Sequence, residues 1–330
     1  MNENQIYRII LIIRLSSIGD IVLTTPIVRA LKTRFPDSEI HYITRPEYLP
    51  LLQNHPDIHT LHSFEGKIRE TIQKLRQHRF QLVIDLHRSI LSRRIKGGLG
   101  ALSFTFPKLN VRKYLLTRFK INTLPDLHIV DRYAMAIEPT GAKLDENGLD
   151  FFISAQVEEE GLREVWDQLG PDAVAVVLGA KHATKKYPSE YYPALLNGLS
   201  KPVLLIGGKP EMEEAERISS ALNVPVMNIA GKSGLLESAA RMKACKVAIT
   251  NDTGFMHIAA AFGMKVFSIW GNTVPAFGMT PYRTPSVIIE TTGLPCRPCS
   301  KLGHESCPKK HFRCMMDLKP ETVLEKIKEG

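Results

Sequence analysis

The sequence predicts an α/β protein made of two doubly wound parallel-sheet halves facing a central cleft. Three observations predict it. The chain has 330 residues, a length that favours two domains. Short apolar runs alternate with helical patterns, the rhythm of βαβ units on a parallel sheet. The same rhythm then restarts in the second half. A composition 44% apolar and 23% charged excludes disordered, collagenous and disulfide-scaffold classes.

Taken in order, Ile6 to Ile13 is read as the first strand, its unbroken apolar run Ile9 to Ile13 being typical of a buried strand. A helix is expected from Ile18 to Arg34, with Ile21, Val22, Ile27, Val28 and Leu31 on its apolar side and Pro26 inside its first turns. Further strands are read at Ile40 to Thr44 and Phe80 to Asp85. After the loop between Gly141 and Gly148 an acid-rich helix begins near Val157. The predicted domains are therefore 1–155 and 156–330. The second has strands at Ala173 to Leu178, Val203 to Ile206, Val226 to Ile229, Val247 to Thr250 and Val266 to Ile269. Helices are expected between them near 190–198, 211–221, 235–243 and 254–262. Open α/β sheets bind ligands beyond the carboxyl ends of their strands, so function is expected in the loops that follow strands.

The formal net charge of +9 is local. Residues 67–120 hold fourteen Lys and Arg against Glu70 and Asp85, a net +12, while the rest of the chain is slightly acidic. Such a window suits an anionic surface, a phosphorylated substrate or a solvated helix face. Nucleic acid is disfavoured as a partner, because Phe104, Phe106, Tyr114 and Phe119 are scattered rather than set as a stacking platform. The best apolar run, Ile9 to Ile13, is too short for a membrane span or a signal-peptide core, which gives a cytoplasmic expectation. Of five cysteines, Cys245 falls in an apolar pattern, whereas Cys296, Cys299, Cys307 and Cys314 cluster. In a reducing compartment that cluster points to a structural metal, zinc or iron, ahead of a disulfide.

Three loops carry chemistry. The first, Ser16-Ser17-Ile18-Gly19-Asp20, follows strand one. It lacks G-x-G-x-x-G, which removes the main support for a nicotinamide oxidoreductase. Gly19 allows close approach of backbone to a ligand. Asp20 suits a general base, and Ser17 or Asp20 equally suits a helix cap. The second, Leu178 to Pro188, presents Lys181, Thr184, Lys185 and Lys186 at a strand end, where a lysine holds phosphate as a point charge. Gly207, Gly208 and Glu211 repeat a strand-glycine-helix arrangement, with an acid able to accept from ribose hydroxyls. The third, Thr250 to Ala261, sets Asp252, Thr253 and Gly254 at a helix start, where free amides favour a diphosphate. His257 shares the side of Thr253.

In that order, R-L-S-S-I-G-D-I-V-L-T-T-P, K-K-Y-P at 185–188, Gly-Gly-x-x-Glu at 207–211 and N-D-T-G-F-M-H-I-A-A-A at 251–261 resemble glycosyltransferase family 9, the ADP-heptose:lipopolysaccharide heptosyltransferases, almost end to end. The resemblance implies a GT-B type fold of two Rossmann-like domains, an acceptor on the N-terminal one and a nucleotide sugar on the C-terminal one. It also implies inverting transfer without a catalytic metal. By position, Asp20 matches the family's catalytic base, Lys185 the lysine contacting donor phosphate, and Glu211 an acid near the donor ribose. Asp252, Thr253, Gly254 and His257 match its D-T-G-x-x-H donor loop, with Thr184, Lys186, Gly207 and Gly208 in support. Where the family commonly has tryptophan before Pro188, this chain has Tyr187.

Asp85 and His87 fall where the family's acceptor-side residues lie. Ser17, Gly19, Arg88, Arg93 and Arg94 join them as acceptor candidates near strand ends. The partners so implied are ADP-heptose, an anionic lipopolysaccharide core or glycolipid, and the inner face of the cytoplasmic membrane, where the enzyme would be peripheral. A raised Asp20 pKa is expected from enclosure. Competing classes are a transferase using another nucleotide sugar, and a non-catalytic sugar-nucleotide or glycolipid binding protein of the same fold.

Overall fold

The computed structural model describes residues 7–330; Ile6, where the first strand was expected to begin, lies outside the described residues. The chain divides into two compact units. One holds residues up to Lys108 together with Leu127–Phe152, the other Leu109–Asp126 together with Ile153–Gly330. Both are α/β units built on a parallel sheet.

The first unit runs β1 (Ile9–Ile13), α1 (Ile18–Val22), α2 (Thr25–Arg34), β2 (Glu39–Thr44), β3 (Thr60–Ser63), α3 (Ile68–Arg76), β4 (Leu82–Asp85), α4 (Ile90–Leu99) and β5 (Leu102–Thr105). Its sheet order is β3-β2-β1-β4-β5. Strand β1 is central, which explains its unbroken apolar sequence: Ile10 to Ile13 are wholly buried. One face packs Leu11, Ile13, Ile43, Val83, Leu75 and Ile95 into a common core. The single helix expected from Ile18 to Arg34 is two helices. The first ends where the Thr24 and Thr25 hydroxyls donate to the carbonyls of Ile21 and Val22. Pro26, which lacks an amide hydrogen, then occupies the first turn of α2.

Helix α5 (Asn110–Phe119) packs with the second unit, although it lies within the 1–155 span expected to form the first. Leu116 is buried, the Lys113 ammonium sits over the Phe277 ring, and Lys120 donates to the Pro298 carbonyl at 2.7 Å. The basic window is consequently shared: Arg88, Arg93, Arg94 and Lys96 belong to the first unit, Arg112, Lys113, Arg118 and Lys120 to the second. The chain then returns to the first unit with α6 (Ile129–Ala134).

The second unit continues with α7 (Ala155–Leu169), β6 (Val174–Val177), α8 (Tyr192–Leu199), β7 (Val203–Ile206), α9 (Met212–Ser220), β8 (Val226–Asn228), α10 (Leu235–Lys243), β9 (Val247–Asn251), α11 (Gly254–Ala261), β10 (Lys265–Trp270), β11 (Ser286–Glu290), α12 (Arg313–Met316) and α13 (Pro320–Glu329). Sheet order is β11-β10-β9-β6-β7-β8. Val174, Val176, Leu205, Ile249, Phe267 and Ile269 form its core beneath Tyr192, Leu195 and Val323. Gly161 lets α7 lie directly on α10, since a Cβ there would stand 2.8 Å from that of Ala240.

Candidate functional site

In the first unit the chemistry gathers after β1 and β4. Asp20 sits in the first turn of α1, where its Oδ2 accepts from the Ser17 hydroxyl at 2.9 Å and, more weakly, from the Ser17 amide. Its Oδ1 pairs with the buried Arg14 guanidinium at 2.5 Å. Arg14 is fixed in turn by the carbonyls of Ser16 and Leu86 and by the Tyr133 hydroxyl. Burial pushes the Asp20 carboxyl up, but the Arg14 charge and the Ser17 hydrogen bonds outweigh it and hold the group below its ordinary value. The expectation of a raised pKa is thus reversed. A carboxylate that is part cap and part ion pair remains ionised, and its partly exposed side chain can still accept a proton.

Asp85 departs from its expected ligand contact. It is wholly buried, with Oδ1 taking the amides of His87 and Arg88 and Oδ2 taking the Ser92 hydroxyl at 3.0 Å. It shapes the 85–92 loop and has no surface to offer. Gly19 is likewise buried, at the start of α1. Arg88 adopts a positive φ and donates to the Phe106 carbonyl, while Arg93 and Arg94 are exposed on α4. Burial, then the charges of Arg14 and Lys108, depress the half-buried His87 to about 4. A cavity of about 490 Å³ opens beyond β2 and β3, lined by Arg45, Glu47, Phe64, Glu65 and Leu91. Apart from Leu91, which sits between the proposed Arg88 and Arg93, sequence reasoning gave no sign of it.

The second unit assembles its loops around two acids. Lys185 Nζ lies 2.6 Å from Asp252 Oδ2, which also accepts from the Thr273 hydroxyl at 2.7 Å. Lys186 Nζ lies 2.5 Å from Glu211 Oε1, and Oε2 accepts the Gly208 amide at 2.9 Å. The neighbouring lysines therefore part company, one to the start of α11 and the other to the glycine turn after β7. Gly207 is needed there because a Cβ would meet that of Glu211 at 2.8 Å. Thr253 occupies the N-cap position of α11 without a side-chain capping bond, and the first amides of a helix have no partners within it. His257 is 2% exposed, packed in the body of the unit.

Buried Asn251 sets the register of these loops: it accepts the Tyr187 amide at 3.0 Å and donates to the Leu178 carbonyl. Tyr187 is itself buried and donates to the Leu318 carbonyl, so the aromatic position before Pro188 anchors the segment that carries Lys185 and Lys186. The cysteine-bearing segment is stitched to the same loops. Arg297 donates to the carbonyls of Gly271 and Thr273 and pairs with Glu290 at 2.6 Å. The Cys299 amide donates to Asn272, and Thr184 exchanges hydrogen bonds with the His304 backbone. A cavity of about 290 Å³ lies beside Arg297, bounded by Val274, Ala276, Thr291 and Leu294. The cysteines are free thiols. Burial pushes the Cys314 thiol up to about 12, with the neighbouring Cys299, Cys307 and Cys296 adding to the rise. Arg14, Asn251, Thr273 and Arg297 are the residues that sequence reasoning missed.

Two doubly wound parallel-sheet units, with polar loops at the strand ends of each, define a GT-B class protein. The solved structure of the Escherichia coli ADP-heptose lipopolysaccharide heptosyltransferase II has the same fold: the TM-score is 0.75 at 22% identity, covering 97% of each chain. The model of glycosyltransferase family 9 (heptosyltransferase) matches residues 68–310, and the chain belongs to that family. It is 26% identical to lipopolysaccharide heptosyltransferase 1 of Pseudomonas aeruginosa, over 96% of this chain and 92% of the relative. It is 32% identical over 154 residues to lipooligosaccharide heptosyltransferase 2 of Campylobacter jejuni, a match to 44% of this chain and only 47% of that relative. Among the described residues no helix is long and apolar enough to cross a membrane.

Proposed function

We propose that the chain transfers a heptose from ADP-heptose to an anionic lipopolysaccharide core, with inversion and without a catalytic metal. The observation that carries this reading is the Lys185–Asp252 pair at the start of α11. A cation beside the first amides of a helix suits a departing diphosphate that gains charge, which supports the reading. Full-length similarity to a lipopolysaccharide heptosyltransferase supports the same reading. In the proposed reaction the acceptor oxygen bonds to the anomeric carbon as the bond to the diphosphate breaks, and the electron pair leaves with ADP. Asp20 takes the acceptor proton. Because Arg14 holds that carboxyl low, proton transfer comes late, when the acceptor oxygen has become acidic by bonding to an oxocarbenium-like carbon. Lys185 and the amides of Thr253 and Gly254 stabilise the leaving group, each such donor being worth on the order of 3 kcal/mol.

Glu211, locked to Lys186 and Gly208, acts in this reading as a positioning acid beside the ribose. Arg93 and Arg94 meet acceptor phosphates. The exposed apolar residues of the α5 segment, Val111, Tyr114, Phe119 and Ile121, alternate with Arg112, Lys113, Arg118 and Lys120. That mixture favours peripheral binding at the anionic inner face of the cytoplasmic membrane. A structural zinc or iron held by Cys296, Cys299, Cys307 and Cys314 would stiffen the loops tied down by Arg297 and Thr184.

The decisive test is turnover of ADP-heptose with a lipopolysaccharide core acceptor, set against Asp20→Asn. Asparagine is the better probe because its amide oxygen can keep a hydrogen bond to Arg14 or Ser17 that alanine would lose. General-base loss should lower kcat by at least about a hundredfold with ADP affinity unchanged. Retained turnover in the variant removes Asp20 from the base role, and binding of ADP-heptose without turnover by the wild type identifies a binding protein.

A further inference from the structure

We infer that the first unit carries a second, independent metal site: His41, His62 and His78 bind one zinc-like divalent cation on the face of the sheet covered by α3 and α4. The three side chains come from β2, β3 and the turn that leads from α3 into β4. Each offers a ring nitrogen, and these nitrogens all lie within 4.8 Å of one another. His41 Nδ1 and His62 Nε2 are 2.9 Å apart. A zinc ion bound at about 2.0–2.1 Å to imidazole spaces tetrahedral ligands by about 3.3 Å, so small rotamer adjustments seat it.

Three further observations favour a ligand here. His41 is 1% exposed, an unusual place for an imidazole, and burying such a group is costly unless its polar atoms have partners. The Glu39 carboxylate stands 3.6 Å behind His41 Nε2, the position of the acid that orients a metal-bound histidine through its other nitrogen. Phe80 packs edge-on to His41 and His62 at 5.2 and 6.3 Å, forming an apolar wall of the kind that surrounds closed sites. Seating the cation requires the proton shared by His41 and His62 to move to an outer nitrogen, Nε2 of His41 facing Glu39, with no net proton lost. Imidazole donors select the late divalent metals over magnesium or calcium.

The site is separate from the transfer chemistry. None of the three histidines lies in a loop after a strand's carboxyl end, where Asp20, His87 and Lys185 are found. Its role is to pin the edge strand β3 and the entry to β4, not to touch substrate.

The test uses the full chain stripped with a chelator, with zinc as the added ligand. The variants are His62→Gln/His78→Gln and, to isolate the thiols, Cys296→Ser/Cys299→Ser. One zinc equivalent should survive the cysteine changes. It should weaken by at least about a hundredfold with the histidine changes, with turnover unaltered when donor and acceptor are saturating. Cobalt added to the cysteine variant should give visible bands without thiolate charge transfer. Should the histidine variant fail to fold, zinc must still shift the ring nitrogen resonances of these three histidines in the wild-type protein. Equal zinc binding in the wild-type and histidine variants, loss of all zinc with the cysteine changes, or unmoved histidine resonances would each overturn the assignment.

Discussion

Asp20 shows how one residue serves both as a helix cap and as the proposed base. Its position was legible, because a short polar residue after a buried strand and before a helix has few roles. Its electrostatics were not, although Arg14 stands in the same motif, because only the fold turns that guanidinium back onto the carboxylate. The consequence for pH is directional. A carboxyl whose folded pKa is depressed contributes stability that is complete above its unfolded value, near 3.8, and is lost as pH falls through the folded value. The acid limb of kcat should therefore lie below about pH 4, and a profile with a limb near neutrality would contradict the Arg14–Asp20 pairing. Asn251, Thr273 and Arg297 were illegible for a different reason. Asn251 meets Tyr187 across 64 positions of sequence, and no local pattern encodes such a contact.

Among the strands, sequence reasoning found every central one and the edge strand β8, and the three it missed are edges. β1, β4, β6 and β9 are buried on both faces and announce themselves as unbroken apolar runs. β3, β5 and β11 lie at sheet edges, where half-exposed residues such as His62, Ser103 and Glu290 dilute the signal. Helix α4 carries the exposed pair Arg93 and Arg94, and its acceptor role is testable at this level. Arg93→Glu/Arg94→Glu should raise the acceptor KM at least about tenfold, in line with one to two lost charge-assisted contacts, while ADP affinity stays constant; equal loss of both would show that the patch was misassigned. Helix α5 offers the complementary measurement. Replacing Val111, Tyr114 and Phe119 with serine should reduce sedimentation with anionic vesicles and leave turnover of a soluble acceptor fragment intact. Unchanged sedimentation would remove this helix from the membrane contact.

For the whole molecule, the +9 charge resolves into basic residues carried by both units, not a property of one half. Stability should respond to mild acid through buried histidines. His55 is buried and held near 4 by burial and by the Arg29 charge, and His87 is depressed to a similar value. Below about pH 6.5 the unfolded chain gains protons that the folded chain refuses, so stability falls as pH drops from 6.5 toward 4. For His55 the loss approaches about 3 kcal/mol, and His55→Gln should flatten the midpoint-versus-pH curve over that interval in thermal melts; an unchanged slope would place the titrating group elsewhere.

The backbone passes between the two units three times, because residues 109–126 leave the first, complete the second and hand the chain back. A cut between Phe152 and Ile153 would therefore not release two self-sufficient pieces. The amino-terminal fragment would carry a helix whose Leu116 belongs in the other fragment's interior, and the carboxyl-terminal fragment would lack the cover over Phe277. Co-expressed halves should find each other through that borrowed helix, making the chain a natural candidate for split-protein complementation.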